Sequence, residues 1–231
     1  MKTINIRKIT TVDSVLIELE SLKERLPETT CKNLTTFNNA YYVVTRVIKN
    51  ASDAHRFKNP QSIEAFSVRF ACYYFQAIND FLDANSAISP AWEKAIGSAN
   101  DQHRPAFISL LMGANAHINY DLPFALLKTI QKHEKASLLR DLTVIDKLLI
   151  KSGKEILDTF DESNQMLNFV KSKTRFLYFR PIMYMILWWR IMAWRNYKSL
   201  ENNTDSTRII LKRSTSIAHR LAWLGAHLVR A

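Results

Sequence analysis

The sequence is poor in glycine and proline, the residues on which tight turns depend. Only four glycines and six prolines occur among its 231 residues. A fold made of short strands joined by tight hairpins is therefore not expected. Leucine, alanine and lysine, which favour helices, are abundant. This composition predicts an all-α fold, and the length suits a single-domain multi-helix bundle over residues 1–231.

Cysteine is also scarce. Cys31 and Cys72 are too few for a disulfide framework, so both are expected to be free thiols. The first ten residues carry basic side chains, but no apolar stretch of the kind found in secretory signals follows them. We therefore expect residues 1–10 to be loosely ordered and the protein to be cytoplasmic.

Acidic residues are fewer than basic ones. The chain has 21 Asp and Glu against 32 Lys and Arg, a formal net charge of +11. Such an excess favours anionic partners, including phospholipid headgroups, nucleic acid and phosphorylated small molecules. The basic residues are scattered through the predicted helices and surround no recognisable reading element, so a specific nucleic-acid partner is not expected.

Apolar residues recur at helical spacing almost throughout the chain. Asn59-Pro60 and Ser89-Pro90 each pair an N-cap residue with a proline at the first helical position, which predicts helix starts there. Pro123 and Pro181 are expected to mark breaks or restarts of helices. The predicted helices are 12–25, 34–50, 60–84, 90–97, 104–121, 123–133, 136–159, 162–178, 181–198 and 205–229.

Polar residues interrupt the apolar face of the predicted helix 104–121. His117 and Asp121 lie one turn apart on that face, and Asn115 and Asn119 lie one turn apart on an adjacent one. Buried polar groups are costly unless they are hydrogen-bonded, so we expect a specific role for this segment. Asp141 projects with apolar neighbours in another predicted helix. Were it to approach His117, three side chains would form a site for a metal ion or for proton transfer.

Two interpretations of this polar cluster remain open. In the first, His117 is a general base or metal ligand, Asp121 orients it or shares the metal, and Asp141 completes the site beside Asn119. The cofactor would then be a divalent metal, and the substrate an apolar or amphiphilic small molecule contacted by Asn115 and Tyr120. In the second, His117 and Asp121 form a structural clamp and satisfy each other. His103, on the same face, is an additional candidate.

Residues 171–198 form a basic aromatic segment. No acid occurs between Glu162 and Glu201, and the apolar run from Pro181 to Trp189 is too short to cross the ~30 Å core of a bilayer. The segment is typical of a buried core helix, but its Trp, Tyr and Arg content also suits an anionic membrane surface. A third interpretation is a pocket wall containing Trp188, with Arg180 or Arg190 neutralising an anionic substrate. Packing against a second copy in a homodimer would also fit.

The competing class of function is therefore a non-catalytic protein, peripheral to a membrane or bound to a partner through residues 171–198. The enzyme interpretation depends on His117 and Asp121. The binding interpretation depends instead on the charge and aromatic content of residues 171–198.

The run from Leu110 to Pro123 resembles the hallmark of a bacterial family of unknown function, whose members carry an Asn-Ala-His-Ile-Asn-x-Asp-Leu helix. Segments around Phe37 to Tyr41 and Ser89 to Trp92 also look similar, so the resemblance covers most of residues 12–150. It implies an all-helical fold and no particular activity. The His-x-x-x-Asp spacing is similar, more locally, to the zinc-ligand helix of phospholipase C and P1 nuclease. That family's Gln-Pro-Leu-His continuation and N-terminal Trp ligand are absent from this sequence.

Overall fold

A computed structural model describes residues 3–83, 87–97, 104–130, 135–158, 175–202 and 206–228 of the protein. All of the regular elements in these ranges are helical, which confirms the predicted all-α fold. The main helices are α1 (Val12–Arg25), α2 (Thr35–Asp53), α3 (Pro60–Leu82), α4 (Pro90–Ile96), α5 (Ala106–Asn115), a π-helix (Ala116–Asp121), α6 (Leu122–Thr129), α7 (Lys135–Lys151), α8 (Gly153–Asp158), α9 (Arg175–Asn202) and α10 (Ser206–Leu228).

Both predicted proline-marked helix starts are confirmed. The Asn59 side chain accepts a hydrogen bond from the Ser62 backbone at 3.1 Å, and Pro60 opens α3. The Ser89 hydroxyl accepts one from the Trp92 backbone at 3.3 Å, and Pro90 opens α4. These caps satisfy backbone donors that the first helical turn leaves unpaired. They fix the starts of two helices that bring aromatic side chains to the site described below.

The predicted restart at Pro123 is confirmed, because this proline lies in the first turn of α6. No break precedes it, because α5, the π-helix and α6 follow one another as a central rod, 106–129. In an α-helix, a proline ring conflicts with the carbonyl group four residues earlier. Just before Pro123, the Leu122 N–H bonds to the carbonyl of His117, five residues back, as in a π-helix. The wider turn accounts for the continuation of the helix through the proline.

The predicted break at Pro181 is also wrong, because this proline lies inside α9. An interior proline costs about 3 kcal/mol through its missing hydrogen bond. Burial of the apolar side chains of Met183, Trp189 and Ala193 on one face of α9 offsets this cost. Most of the predicted helix 162–178 lies outside the described residues.

The N-terminal segment is better fixed than predicted. The Asn79 side chain accepts a hydrogen bond from the Ile4 backbone N–H and donates one to the Ile4 carbonyl, both at 2.9 Å. Ile4 and Ile9 are buried in the core. Ile4 and Ile9 therefore attach this segment to the core, where the sequence predicts loose ordering.

The central rod lies at the middle of the fold. Helices α2, α3, α4, α9 and α10 all pack against it, and every residue from Ile108 to His117 is buried. Gly113 allows α2 to come close, because a Cβ atom at this position would lie 2.5 Å from Cγ of Phe37. This close packing brings the aromatic side chains of α2 to the π-helix.

Candidate functional site

The π-helix carries a buried hydrogen-bonded network. Nδ1 of His117 lies 3.0 Å from Oδ2 of Asp121, and Nε1 of Trp92 donates to the same oxygen at 2.9 Å. His117 is only 2% exposed, and the other two side chains are equally buried. The predicted pairing of His117 with Asp121 is present, and Trp92 from α4 anchors it.

Burial sets the protonation of this pair. It lowers the pKa of His117 well below its ordinary value. It also raises the pKa of Asp121 well above its ordinary value, although the hydrogen bond from Trp92 acts in the opposite direction. Desolvation penalises the charged form of both groups. An uncharged imidazole is therefore the favoured form of His117.

Aromatic rings enclose the imidazole of His117. The ring of Phe70 stacks on it with centroids 3.6 Å apart and planes 8° apart, and Tyr41 meets it edge-on at 4.7 Å. Three further rings lie between 5.7 and 6.2 Å away, those of Phe37, Trp92 and Tyr74. This aromatic cage leaves the imidazole little freedom to rotate.

An apolar cavity of about 110 Å³ borders the cage. Its wall includes the side chains of Tyr41, Phe70, Met183, Ile186 and His117 and is otherwise mostly aliphatic. Nε2 of His117 is buried and has no hydrogen-bond partner among the described residues. The cavity wall therefore combines an extensive apolar surface with an imidazole whose second nitrogen is unsatisfied.

Asp141 does not join this pair, so its predicted convergence with His117 and Asp121 is wrong. Its two carboxylate oxygens accept hydrogen bonds from the backbone N–H groups of Lys58 and Asn59, at 2.8 and 2.9 Å. It holds the segment that leads into α3. Within the described residues, no group of three His, Cys, Asp or Glu side chains is placed to hold a metal ion. The predicted three-residue metal site is therefore not formed.

The two predicted asparagines connect helices on another side of the rod. Nδ2 of Asn119 donates to Oδ1 of Asn115 at 3.0 Å, and Nδ2 of Asn115 donates to the carbonyl of Ser214 in α10 at 2.9 Å. Tyr120 is half-buried and meets Phe124 edge-on. None of these predicted site residues belongs to the cavity wall.

The predicted residues of the basic aromatic segment are divided between the two sides of α9. Arg190 lines the cavity and forms an ion pair with Asp146. Trp188 is 55% exposed and points away from the cavity, so its prediction as a pocket residue is wrong. The side chain of Arg180 and all of His103 lie outside the described residues. No helix in the described ranges is both long and apolar enough to cross a membrane.

Sequence reasoning missed most of the cavity and the anchor of Asp121. Trp92 and Tyr41 fall in segments that carry the family resemblance, but no spacing indicates that Trp92 donates to Asp121. Neither Phe70 nor Ser67 is predicted as a site residue from the sequence. Helical periodicity identifies which side of one helix is buried, whereas this site depends on which helices meet.

The fold and the site together define an all-α protein with a buried His–Asp pair beside an apolar cavity. Residues 12–229 match the model of DUF5995, a family of unknown function, and the chain belongs to that family. The match continues through the C-terminal third, beyond residues 12–150. The match supports neither the Asn-Ala-His-Ile-Asn-x-Asp-Leu hallmark nor the similarity to phospholipase C and P1 nuclease. The comparisons with curated proteins and with solved structures gave no match.

Proposed function

We propose that this protein binds an apolar or amphiphilic small molecule in the cavity, and that His117 acts on this molecule as a general base. The observation that carries the proposal is the buried, unpartnered Nε2 of His117 in an apolar wall. Buried polar atoms nearly always have partners, and an unsatisfied one costs about 1–3 kcal/mol. A bound molecule with a polar group would supply the missing hydrogen bond.

The His117–Asp121–Trp92 network supports a catalytic use of that nitrogen. The indole N–H of Trp92 can only donate, so it fixes Oδ2 of Asp121 as an acceptor. When Nδ1 of His117 carries the proton and donates to this oxygen, Nε2 keeps its lone pair. A neutral imidazole with a free lone pair is the form in which a general base accepts a proton.

Binding of benzyl alcohol tests the proposal. We expect benzyl alcohol to raise the thermal midpoint of the protein and to shift the Nε2 resonance of His117 in nitrogen NMR, because a ligand that binds only the folded state stabilises it. The variant Val44→Phe, which fills the cavity, should lose both effects. Ile17→Phe is the matched control, since Ile17 is exposed on α1 and lies outside the cavity wall.

The proposal fails if benzyl alcohol leaves the His117 resonance of the wild-type protein unchanged, or if Val44→Phe binds it as well as Ile17→Phe does. For the catalytic part, His117→Phe keeps an aromatic ring in the cage but has no nitrogen. It should abolish turnover of any substrate found by screening while retaining the helical circular dichroism spectrum. Full turnover by this variant would restrict His117 to a structural role.

An exposed face of α9 supports a second function, docking on an anionic membrane surface. Tyr184, Trp188 and Ile191 are 59%, 55% and 50% exposed. They follow one another at helical spacing, and the exposed Arg195 and Lys198 continue the same outer face. No acid occurs between Glu162 and Glu201, and the whole chain has a net charge of +11. Aromatic rings and cations on one face suit the headgroup region of an anionic bilayer.

Sedimentation with vesicles containing phosphatidylserine tests this docking. The wild-type protein should bind at low salt and be released at high salt, because screening weakens attraction to the lipid charge. Replacing both Tyr184 and Trp188 by serine should weaken binding about tenfold or more, the equivalent of ~1.4 kcal/mol. Ile17→Ser, which removes a more exposed apolar side chain from α1, should bind normally.

Absence of binding at low salt would refute the docking proposal. So would a wild-type homodimer in light scattering that the double serine variant converts to a monomer, since the outer face would then contact a second copy of the chain.

A further inference from the structure

A second buried polar atom without a partner lines the same cavity. Ser67 in α3 is only 7% exposed, and its Oγ has no hydrogen-bond partner among the described residues. It lies one turn before Phe70, the ring on which His117 stacks. The other buried side-chain atoms that lack a partner in the described structure lie outside the cavity wall. Ser67 of α3 and His117 of the π-helix therefore both line one apolar space, and each has a buried polar atom without a partner in the described structure.

The hydroxyl of Ser67 differs in its hydrogen bonding from that of Thr45, which lines the same cavity. Helical serines and threonines commonly bond to the carbonyl four residues earlier. Thr45 follows this pattern, because its hydroxyl donates to the carbonyl of Tyr41 at 2.8 Å. The hydroxyl of Ser67 makes no such bond within the described structure. The hydrogen-bonding capacity of Ser67 is therefore unused within the described residues, whereas the Thr45 hydroxyl already donates to Tyr41.

The charge of the wall limits the kind of polar group that the cavity can accept. Arg190 is the charged side chain in the lining, and it is ion-paired with Asp146. His117 is held in its neutral form by burial. An anionic ligand would thus lose its hydration without gaining an unpaired cation, which is unfavourable in an apolar site. The wall favours an uncharged polar group.

We infer that the cavity binds an apolar alcohol whose hydroxyl lies between Ser67 Oγ and His117 Nε2. A hydroxyl both donates and accepts, so it can satisfy the serine and, at the same time, either tautomer of the imidazole. A carbonyl group can only accept. This inference rests on the proposed function and narrows the ligand class of the same site.

The test compares three probes of similar shape, namely benzyl alcohol, toluene and benzoate, by calorimetric titration. In Ser67→Ala, the affinity for benzyl alcohol relative to toluene should fall about tenfold, since a hydrogen bond contributes on the order of 1 kcal/mol or slightly more. Thr45→Val is the matched control and should leave this ratio unchanged. Benzoate should bind more weakly than benzyl alcohol to the wild-type protein.

Ser67→Ala should also fold well, because it removes an unsatisfied polar atom, and its unliganded form should melt no lower than the wild type. Equal changes in the affinities for toluene and benzyl alcohol, or tighter binding of benzoate, would overturn the inference while leaving the cavity as a binding site. If none of the probes bound the wild type, the proposed binding function itself would fail.

Discussion

Gly113→Ala is expected to destabilise the protein by about 3 kcal/mol, the upper part of the usual range for an overpacked core. The new methyl carbon would lie 2.5 Å from Cγ and 2.7 Å from Cβ of Phe37. Because a Cβ atom is fixed to the backbone, Phe37 cannot relieve the contact by rotating alone, and α2 would have to separate from the central rod. Chemical denaturation followed by circular dichroism measures the loss.

Gly225→Ala is the matched control for this prediction. Gly225 is also buried within a helix, but a Cβ there would come no closer than 3.1 Å to its nearest neighbour, Cγ2 of Ile108. The higher helix propensity of alanine, worth up to about 1 kcal/mol, should offset most of this contact. Similar stability losses in the two variants would show that α2 is not packed on Gly113 as described.

Asp121→Asn is expected to make stability strongly dependent on pH. The pKa of His117 is lowered in the folded state, so the unfolded chain binds protons more readily below the ordinary histidine pKa of ~6.5. The stability that results from the lowered pKa of His117 is present above pH ~6.5 and is lost as the pH falls. The slope approaches about 1.4 kcal/mol per pH unit. As the pH falls below ~6.5, the variant should therefore lose more stability than the wild type does.

Asp121 acts in the opposite direction in the wild-type protein. Its pKa is raised by burial, so the folded state takes up a proton more readily than the unfolded chain does. The contribution of Asp121 to stability therefore rises as the pH falls from its raised pKa toward ~3.9. This rise partly compensates for the stability that is lost through His117. The asparagine variant lacks this compensation. Urea denaturation at a series of pH values measures both effects.

His117→Phe provides the complementary control. With the imidazole removed, only the contribution of Asp121 remains, and stability relative to wild type should increase as the pH falls. The interpretation fails if the two variants follow parallel curves, because His117 and Asp121 would then not be the groups whose protonation differs between the folded and unfolded states.

The polar pair could be predicted because the signal for it is local. His117 and Asp121 interrupt an apolar helical face, and the structure finds both buried and hydrogen-bonded to each other. Asp141 gives the same kind of signal and is equally buried, yet its partners are the backbone N–H groups of Lys58 and Asn59. The hydrophobic pattern indicates that a residue faces the core, but not which part of the core it reaches.

The break expected at Pro123 is absent because the π-helical turn accommodates that proline. The one expected at Pro181 is absent for a related reason. Proline penalties are local, whereas the burial that offsets them is distributed along a whole helix. The caps at Asn59 and Ser89 were predictable because a cap residue and its proline interact only with the turn that follows. Features that depend on a single turn could be predicted from the sequence, and those that depend on packing between helices could not.

The π-helix determines which neighbouring helices each half of the central rod faces. The α5 half of the rod packs against α2 and α10, and the α6 half packs against α3 and α9. A π-helical turn contains more residues than an α-helical one, so it changes the angular phase between the two halves. Deleting one residue from 116–121 would rotate the α6 half by about 100° relative to the first. Buried side chains such as Leu122 and Leu126 would then face the wrong layer of helices.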